Sequence, residues 1–294
     1  MAKIAVIGSI NIDLVVQSKR RPNKGETIIG DSFSISPGGK GANQAVAASK
    51  LGAETIMFGT LGNDQHGKYM LDILDKQNVR TEYIQKNIEK ESGVAIIHLA
   101  ENDNSIVVVP GANENTSIEY LKSYQEILLQ ADIILIQLEI PIYTVEWAID
   151  FLHQNNKTII LNPAPASKLS VEVLEKSTYI IPNEHECAII FDSQKSTEEL
   201  MREFSNKLIV TEGKRGVRFC DGTDIIHIPS IDVNVVDTTG AGDTFNGAIA
   251  VALAEGKSLE ESIKFANVAA GISITKVGAQ GGMITRRELD KILR

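Results

Sequence analysis

Apolar positions follow two rhythms along this chain. Short, near-continuous apolar runs recur at Ile4–Ile7, Thr55–Gly59, Asp132–Leu138, Thr158–Leu161, Tyr179–Ile181 and Lys207–Thr211. Unbroken runs of that length predict strands buried on both faces. Between them apolar residues fall on one helical face, over 43–51, 67–78 (through Met70, Leu71 and Leu74), 142–154, a helix opening near Asn183, and 259–275. Strand and helix alternate from residue 116 onward, which predicts a parallel sheet covered by helices. The expected fold is a three-layer α/β/α domain with a mostly parallel central sheet. Other segments alternate instead. Ser9–Val16 sets Asn11, Asp13 and Val15 on one face and Ile12, Leu14 and Val16 on the other. Residues 26–29 and 32–36 read as strand. Val94–Leu99 and Ile106–Val109, split by the polar turn 101–105, read as an inserted hairpin.

Ligands of such sheets collect beyond the C-terminal ends of the strands. Glu139, Asn162, Asn183, Thr211 and Glu212 each follow a predicted strand and so share one rim. The glycine-rich turn Asp237–Gly242 runs into a helical pattern through Phe245, Ala248, Ile249, Ala252 and Leu253. Gly240, Ala241 and Gly242 are thus expected at a helix N-terminus with unpaired N–H groups, a ready anion site. Asp243 beside it has two readings: a helix cap, or a base that takes the proton of a hydroxyl attacking a phosphate.

Other polar groups leave similar alternatives. Asn11 and Asp13 could grip neighbouring hydroxyls of a polyol or mark an exposed strand end. Gly38–Gly41 around Lys40 reads as a phosphate loop lacking its Ser or Thr, or as a tight turn with a solvated lysine. Glu139 could accept from a sugar hydroxyl or serve as a helix N-terminal acid before Pro141. Thr211–Gly216 could line nucleotide phosphates or be an exposed hairpin turn. Asn183–Glu186 reads as a helix start, and Asn267 as a polar position on a helix.

Composition narrows the class. The 294 residues suit one large domain, with or without a small appendage, and 43% hydrophobic with 23% charged residues is ordinary for a globular enzyme. A net charge of −9 argues against a nucleic-acid surface. Cys187 and Cys220 fit neither a disulfide framework nor a zinc site and suggest a reducing compartment. The five histidines show no metal-ligand spacing. No run is long enough to span a bilayer, and no signal peptide is evident, so a cytoplasmic protein without a membrane partner is expected. Neither a dinucleotide fingerprint nor a Walker-type phosphate loop occurs.

The string DTTGAGDTFNGA, residues 237–248, resembles the C-terminal signature of the ribokinase-like (pfkB) sugar kinases, and GGKGANQAVA, from Gly38, resembles their N-terminal one. G-S-I-N-x-D from Gly8, N-x-x-E from Asn183 and T-x-G-x-x-G from Thr211 extend the likeness to essentially the whole chain. The resemblance implies a Rossmann-like kinase domain (1–13, 37–92 and 110–294) with a small β-sheet lid (14–36 and 93–109) whose outer face pairs two subunits. It implies transfer of phosphate from ATP to the 5-hydroxyl of D-ribose, with 2-deoxyribose or a nucleoside as alternatives. A sugar-binding regulator without catalysis is the rival of another class, and both signatures being intact speaks against it.

By the same resemblance Asp243 is the catalytic base and Gly240, Ala241 and Gly242 form the anion hole. Asn11, Asp13, Gly39, Lys40, Gly41, Ala42, Asn43 and Glu139 hold the sugar. Thr211, Glu212, Gly213, Lys214, Arg215, Gly216, Asn183 and Asn267 meet the nucleotide, together with Gly242 and Asp243. Glu186 places Mg²⁺ through water. Asp237, Thr239, Ser273, Lys276, Gly278 and Gly282 bind K⁺, mostly through backbone carbonyls.

Overall fold

The computed structural model describes residues 1–101 and 103–293; Asn102, in the polar turn of the expected hairpin, lies outside them. The central sheet has six parallel strands in the order β12-β11-β10-β1-β4-β6. They are β1 (Lys3–Ile7), β4 (Glu54–Phe58), β6 (Val79–Arg80), β10 (Ile133–Ile136), β11 (Thr158–Leu161) and β12 (Tyr179–Ile180). The pleat sorts β1 between two cores. Ile4 and Val6 pack with α1 (Lys40–Lys50), α9 (Ala241–Ala254) and α10 (Leu259–Ser273), whereas Ala5 and Ile7 pack with α5 (Ile142–Gln154). Burial on both faces explains why these strands read as unbroken apolar runs.

Peripheral helices complete the layers: α2 (Gln65–Lys76), α3 (Ile118–Ser123), α4 (Gln125–Leu128), α6 (Val171–Lys176), α7 (Glu184–Phe191), α8 (Thr197–Glu203) and α11 (Arg286–Ile292). β5 (Thr60–Gly62) pairs with β7 (Gln85–Asn87). No helix among the described residues is long and apolar enough to cross a membrane.

A second sheet, ordered β3-β2-β8-β9, stands off the first. It joins β2 (Asn11–Gln17), β3 (Ser32–Gly38), β8 (Gly93–Ala100) and β9 (Asp103–Val109), with β2 and β8 parallel and the other pairs antiparallel. One face carries Asp13, Ala95 and Val108 in register. The opposite face exposes Phe33, Ile35, Ile96 and Val107. Asn11 and Asp13 therefore lie on a strand of this sheet, beyond the end of the central one.

Three expectations are corrected. Residues 26–29 are not strand. Glu26 accepts from Asn23 N at 2.9 Å and from Arg20 at 2.7 Å, a local turn that competes with a ladder, and Ile29 is 90% exposed. Residues 207–211 are not a regular strand of the central sheet: they touch its β12 edge through two isolated parallel bridges, Leu208 to Ile180 and Thr211 to Asn183, while β13 (Ile209–Thr211) pairs antiparallel with β14 (Val217–Cys220), which pairs with β15 (Ile225–Ile228). Positive φ at Gly213 and Gly216 turns the chain back there. Finally, α1 begins at Lys40, so Lys40 and Gly41 of the predicted glycine loop already belong to the first turn of a helix.

Candidate active site

The N-terminus of α9 is the floor of the site. Val236 N and Asp237 N both donate to Ile274 O, at 2.8 and 3.1 Å, tying the preceding loop to the end of α10. Gly240 then turns left-handed at φ 78°, and a Cβ there would meet Ala279 Cα at 2.8 Å, so only glycine suits the position. Of the three expected anion-hole amides, that of Ala241 is engaged with Thr238 O at 3.3 Å. Those of Gly240 and Gly242 have no carbonyl partner among the described residues, and the space beside Gly242 is open to 4 Å.

Asp243 discriminates between its two readings. α9 has no side-chain cap, and the Asp243 carboxylate turns toward α1 instead. Its Oδ2 accepts from Asn43 Nδ2 at 3.0 Å and its Oδ1 from Gln44 Nε2 at 3.1 Å. The two helices come this close because Gly247 has no side chain: a Cβ there would stand 2.7 Å from Ala47 Cβ. Asp243 is only 8% exposed, and burial raises its pKa against the opposing pull of Lys40 and the two amides. A carboxylate so held does not cap its own helix; its oxygens are oriented by the two amides of α1.

The amides that hold it are themselves held. Gln44 Nε2 also reaches Asn162 Oδ1 at 3.0 Å, and Gln44 Oε1 accepts from Gln137 Nε2 at 2.6 Å. Asn43 Oδ1 accepts from Gln280 Nε2 at 3.0 Å. Ser9, Gln44, Gln137 and Gln280 escaped the sequence reading of the site. Gln44 and Ser9 carried a signal, Gln44 after Asn43 in the N-terminal signature and Ser9 within G-S-I-N-x-D.

A cavity of ≈ 830 Å³ opens above this floor. Asn11, Asp13, Gly39, Lys40, Asn43, Glu139 and Asp243 line its polar side, and Ala95, Ile97, Ile106 and Val108 from the second sheet line its apolar side. Gly41 and Ala42 stand behind it. Ala42 N bonds Ser9 O at 2.9 Å, and Gly41 packs on the backbone of Gly8 and Ser9. Glu139 accepts from Ser9 Oγ at 2.5 Å and from Lys40 N at 3.2 Å. It does meet a helix N-terminus, but that of α1 rather than that of the helix following it. Burial, then the charges of Glu139 and Asp243, push the Asp13 carboxyl up to about 6. Burial pulls Lys40 down, yet the surrounding carboxylates, Asp243 foremost, outweigh it and hold its pKa above the usual lysine value.

A second cavity of ≈ 550 Å³ lies on the other side of the same helix end. Thr211, Gly213, Lys214 and Gly216 face Asn267, Ala270 and Gly271 of α10 across it, and Ala241 and Gly242 close it. Asn267 Nδ2 donates to Pro229 O at 2.6 Å. Two residues expected here are engaged elsewhere. The Glu212 carboxylate is buried against Arg218 at 2.6 Å, and Arg215 pairs with Glu184. Asn183 lines the cavity while forming a reciprocal cap with Glu186, each side chain accepting from the other's backbone N–H at 2.8 Å. Burial raises the Glu186 carboxyl, which lies within the fields of Lys40 and Asp243.

Below the floor Asp237 Oδ1 accepts from Thr239 N at 2.9 Å and Oδ2 from Gly278 N at 2.8 Å. Burial pushes its carboxyl up, but these bonds outweigh it and hold the pKa below the usual range. A Cβ at Gly282 would lie 1.7 Å from Ser273 O, so the missing side chain leaves that carbonyl uncovered. Lys50 Nζ fixes the loop by donating to Gln280 O and Met283 O at 3.0 and 3.3 Å. One carboxylate with several carbonyls suits a large monovalent cation. Among the described residues no group of three or more His, Cys, Asp or Glu side chains is arranged to hold a metal ion.

A helix N-terminus shared by two cavities, with a buried carboxylate and Gly240 on one side and Gly242 on the other, is a geometry that suits a phosphoryl-transfer enzyme. Residues 1–286 match the pfkB family of carbohydrate kinases, and the chain belongs to that family. It is 50% identical over 293 residues to the ribokinase of Bacillus subtilis, covering 100% of both chains. It is 34% identical to the deoxyribokinase of Salmonella typhi, covering 99% of this chain and 98% of that one. The structure of Arabidopsis thaliana ribokinase complexed with ribose and ATP superposes with a TM-score of 0.90 at 33% identity, covering 100% and 99% of the two chains.

Proposed function

We propose that the protein is a ribokinase, moving the γ-phosphoryl group of ATP to the 5-hydroxyl of D-ribose. The observation that carries this is the placement of Asp243 and Gly242 on adjacent residues of one helix end, facing different cavities. Sugar in the first cavity and nucleotide in the second then meet only there. Asn11, Asp13, Asn43 and Glu139 orient the sugar, Asp243 takes the hydroxyl proton, and the free amides of Gly240 and Gly242 stabilise charge on the transferring group. Lys40, amid the carboxylates of the first cavity, offers its charge to the incoming phosphoryl oxygens.

Asn183 and Glu186 would hold Mg²⁺ through water, and the ion would neutralise phosphate charge. The carbonyls of Ser273, Lys276, Gly278 and Gly282, with Asp237 and Thr239, would hold K⁺, which would stiffen the loop beneath the anion hole. Residues 14–36 and 93–109 act as a lid, and its exposed apolar face pairs two copies; such a patch on one chain is otherwise unfavourable. The protein works in the cytoplasm.

ADP release with Mg²⁺ and ATP, on D-ribose and on 2-deoxy-D-ribose, with and without K⁺, tests this reading. Ribose turnover raised by K⁺ supports it, a preference for deoxyribose keeps the chemistry and changes the acceptor, and silence with both sugars defeats it. A nucleoside is disfavoured because the lid contributes only aliphatic side chains to the cavity; Tyr143, from α5, is the aromatic there.

A further inference from the structure

Asn11 and Asp13 stand on one face of β2, and which end of the Asn11 amide meets the cavity decides what that face recognises. A chain of bonds starting at a backbone N–H settles the orientation. Ile10 N donates to Asn113 Oδ1 at 2.9 Å, and a backbone N–H can only donate. The other end of Asn113, its NH₂, therefore reaches Asn11 Oδ1 at 2.7 Å, with Pro110 O at 2.9 Å and Ile10 O at 3.2 Å also within range. Asn113 is 1% exposed, so water does not compete for these bonds. Asn11 is left with its carbonyl spent. Its Nδ2 donates to no protein atom among the described residues, and Asn11 lines the cavity. Gly93 lets the joint close: a Cβ there would lie 2.2 Å from Asn11 Oδ1 and 2.3 Å from Asn113 Nδ2.

We propose that Asn113 is a positioning residue for sugar recognition, fixing the Asn11 amide so that Asn11 donates into the cavity while Asp13 accepts beside it. The inference rests on the first cavity being the sugar site. A donor and an acceptor side by side match neighbouring hydroxyls, one accepting and one donating. If the Asn11 amide were turned, two acceptors would face the sugar and one hydroxyl oxygen would lose its partner.

The test is a double-mutant cycle on D-ribose affinity by calorimetry, using N113A, N11A and the double variant. N113A should weaken ribose binding by roughly 5- to 30-fold, the effect of one lost hydrogen bond, and leave the KM for ATP within about twofold. In the N11A background the same change should cost less than about twofold, because the two residues act as one unit. Equal losses in both backgrounds, or a parallel rise in the KM for ATP, overturn the proposal. N113D keeps an acceptor for Ile10 N–H but sets a carboxylate oxygen against Asn11 Oδ1, so the Asn11 amide should turn and ribose affinity should fall at least as far as in N113A. A ligand-free readout separates this proposal from the assignment of ribose. In sugar-free wild type the Asn113 side-chain NH₂ should exchange slowly with solvent by NMR and that of Asn11 quickly, with Asn11 slowed in N113D. The reverse order in wild type defeats the proposal whatever the sugar, whereas absent ribose turnover defeats only the substrate.

Discussion

The two cavities that meet at the start of α9 are built in opposite ways. The first is lined by charged side chains: Asp13, Glu139 and Asp243 crowd one lysine, and burial together with their repulsion lifts Asp13 to about 6. The second is made largely of backbone and apolar surface; Glu212, Arg215 and Glu186 nearby are committed to Arg218, Glu184 and Asn183, and of its lining only Lys214 and Asp232 are charged. A polyol needs a directional partner at each hydroxyl, and those partners destabilise one another while the cavity is empty. A nucleotide phosphate needs N–H groups and room, which glycine turns supply without strain between charges. Selectivity is therefore concentrated in the half that costs the fold stability.

The comparison can be broken at several points. The largest effect belongs to Asp243→Asn, which should cut kcat by ~10²–10⁴ with both substrates still bound; calorimetry beside steady-state kinetics reads both, and unchanged turnover removes Asp243 as the base. Asp13→Asn should weaken ribose binding by about 10- to 100-fold while making the protein more stable at neutral pH, by roughly 1–2 kcal/mol once solvent screening is allowed for. The sign follows from the raised pKa. The native state pays for an ionised Asp13 in full above about 6, progressively less as pH falls toward the ordinary value of 3.8, and not at all below it. Melting curves of wild type and variant should thus converge in acid, and a variant less stable at pH 7.5 would contradict the crowding argument. In the wild type alone, ribose KM should fall as pH rises through about 6, and Asp13→Asn should lack that step.

The nucleotide half should respond differently. Glu212→Gln should lower stability by about 1–3 kcal/mol, because Arg218 loses a buried partner, with the KM for ATP within about threefold. Arg215→Ala is the smallest change. Its pair with Glu184 is exposed, so stability should move by less than ~1 kcal/mol. A tenfold rise in the KM for ATP in that variant would restore Arg215 as a nucleotide contact.

Parts of the site lay open to reading and parts did not. Asp13, Asn43 and Asp243 were legible because each sits in a signature whose polarity is odd for its local element. Glu212 and Arg215 are harder to read, since a charge in a glycine turn looks unspent until its distant partner is known. Gln137 and Gln280 gave no sign at all. A glutamine in an apolar run or a loop has many ordinary explanations, and what makes each one part of the site is a bond to a residue far away in the chain.

The sequence by itself determined the layers: unbroken apolar runs alternating with one-faced helices leave few folds other than a covered parallel sheet, because burial period is a local property. It also pointed to a place where an anion could sit, since a glycine turn entering a helix leaves N–H groups without helical partners. Tertiary structure decided how Asp243 is oriented by Asn43 and Gln44, how Asp237 meets Gly278, and which end of Asn11 faces the cavity through Asn113. An amide or carboxylate can donate or accept in several directions, and only partners brought from the far ends of the chain choose among them.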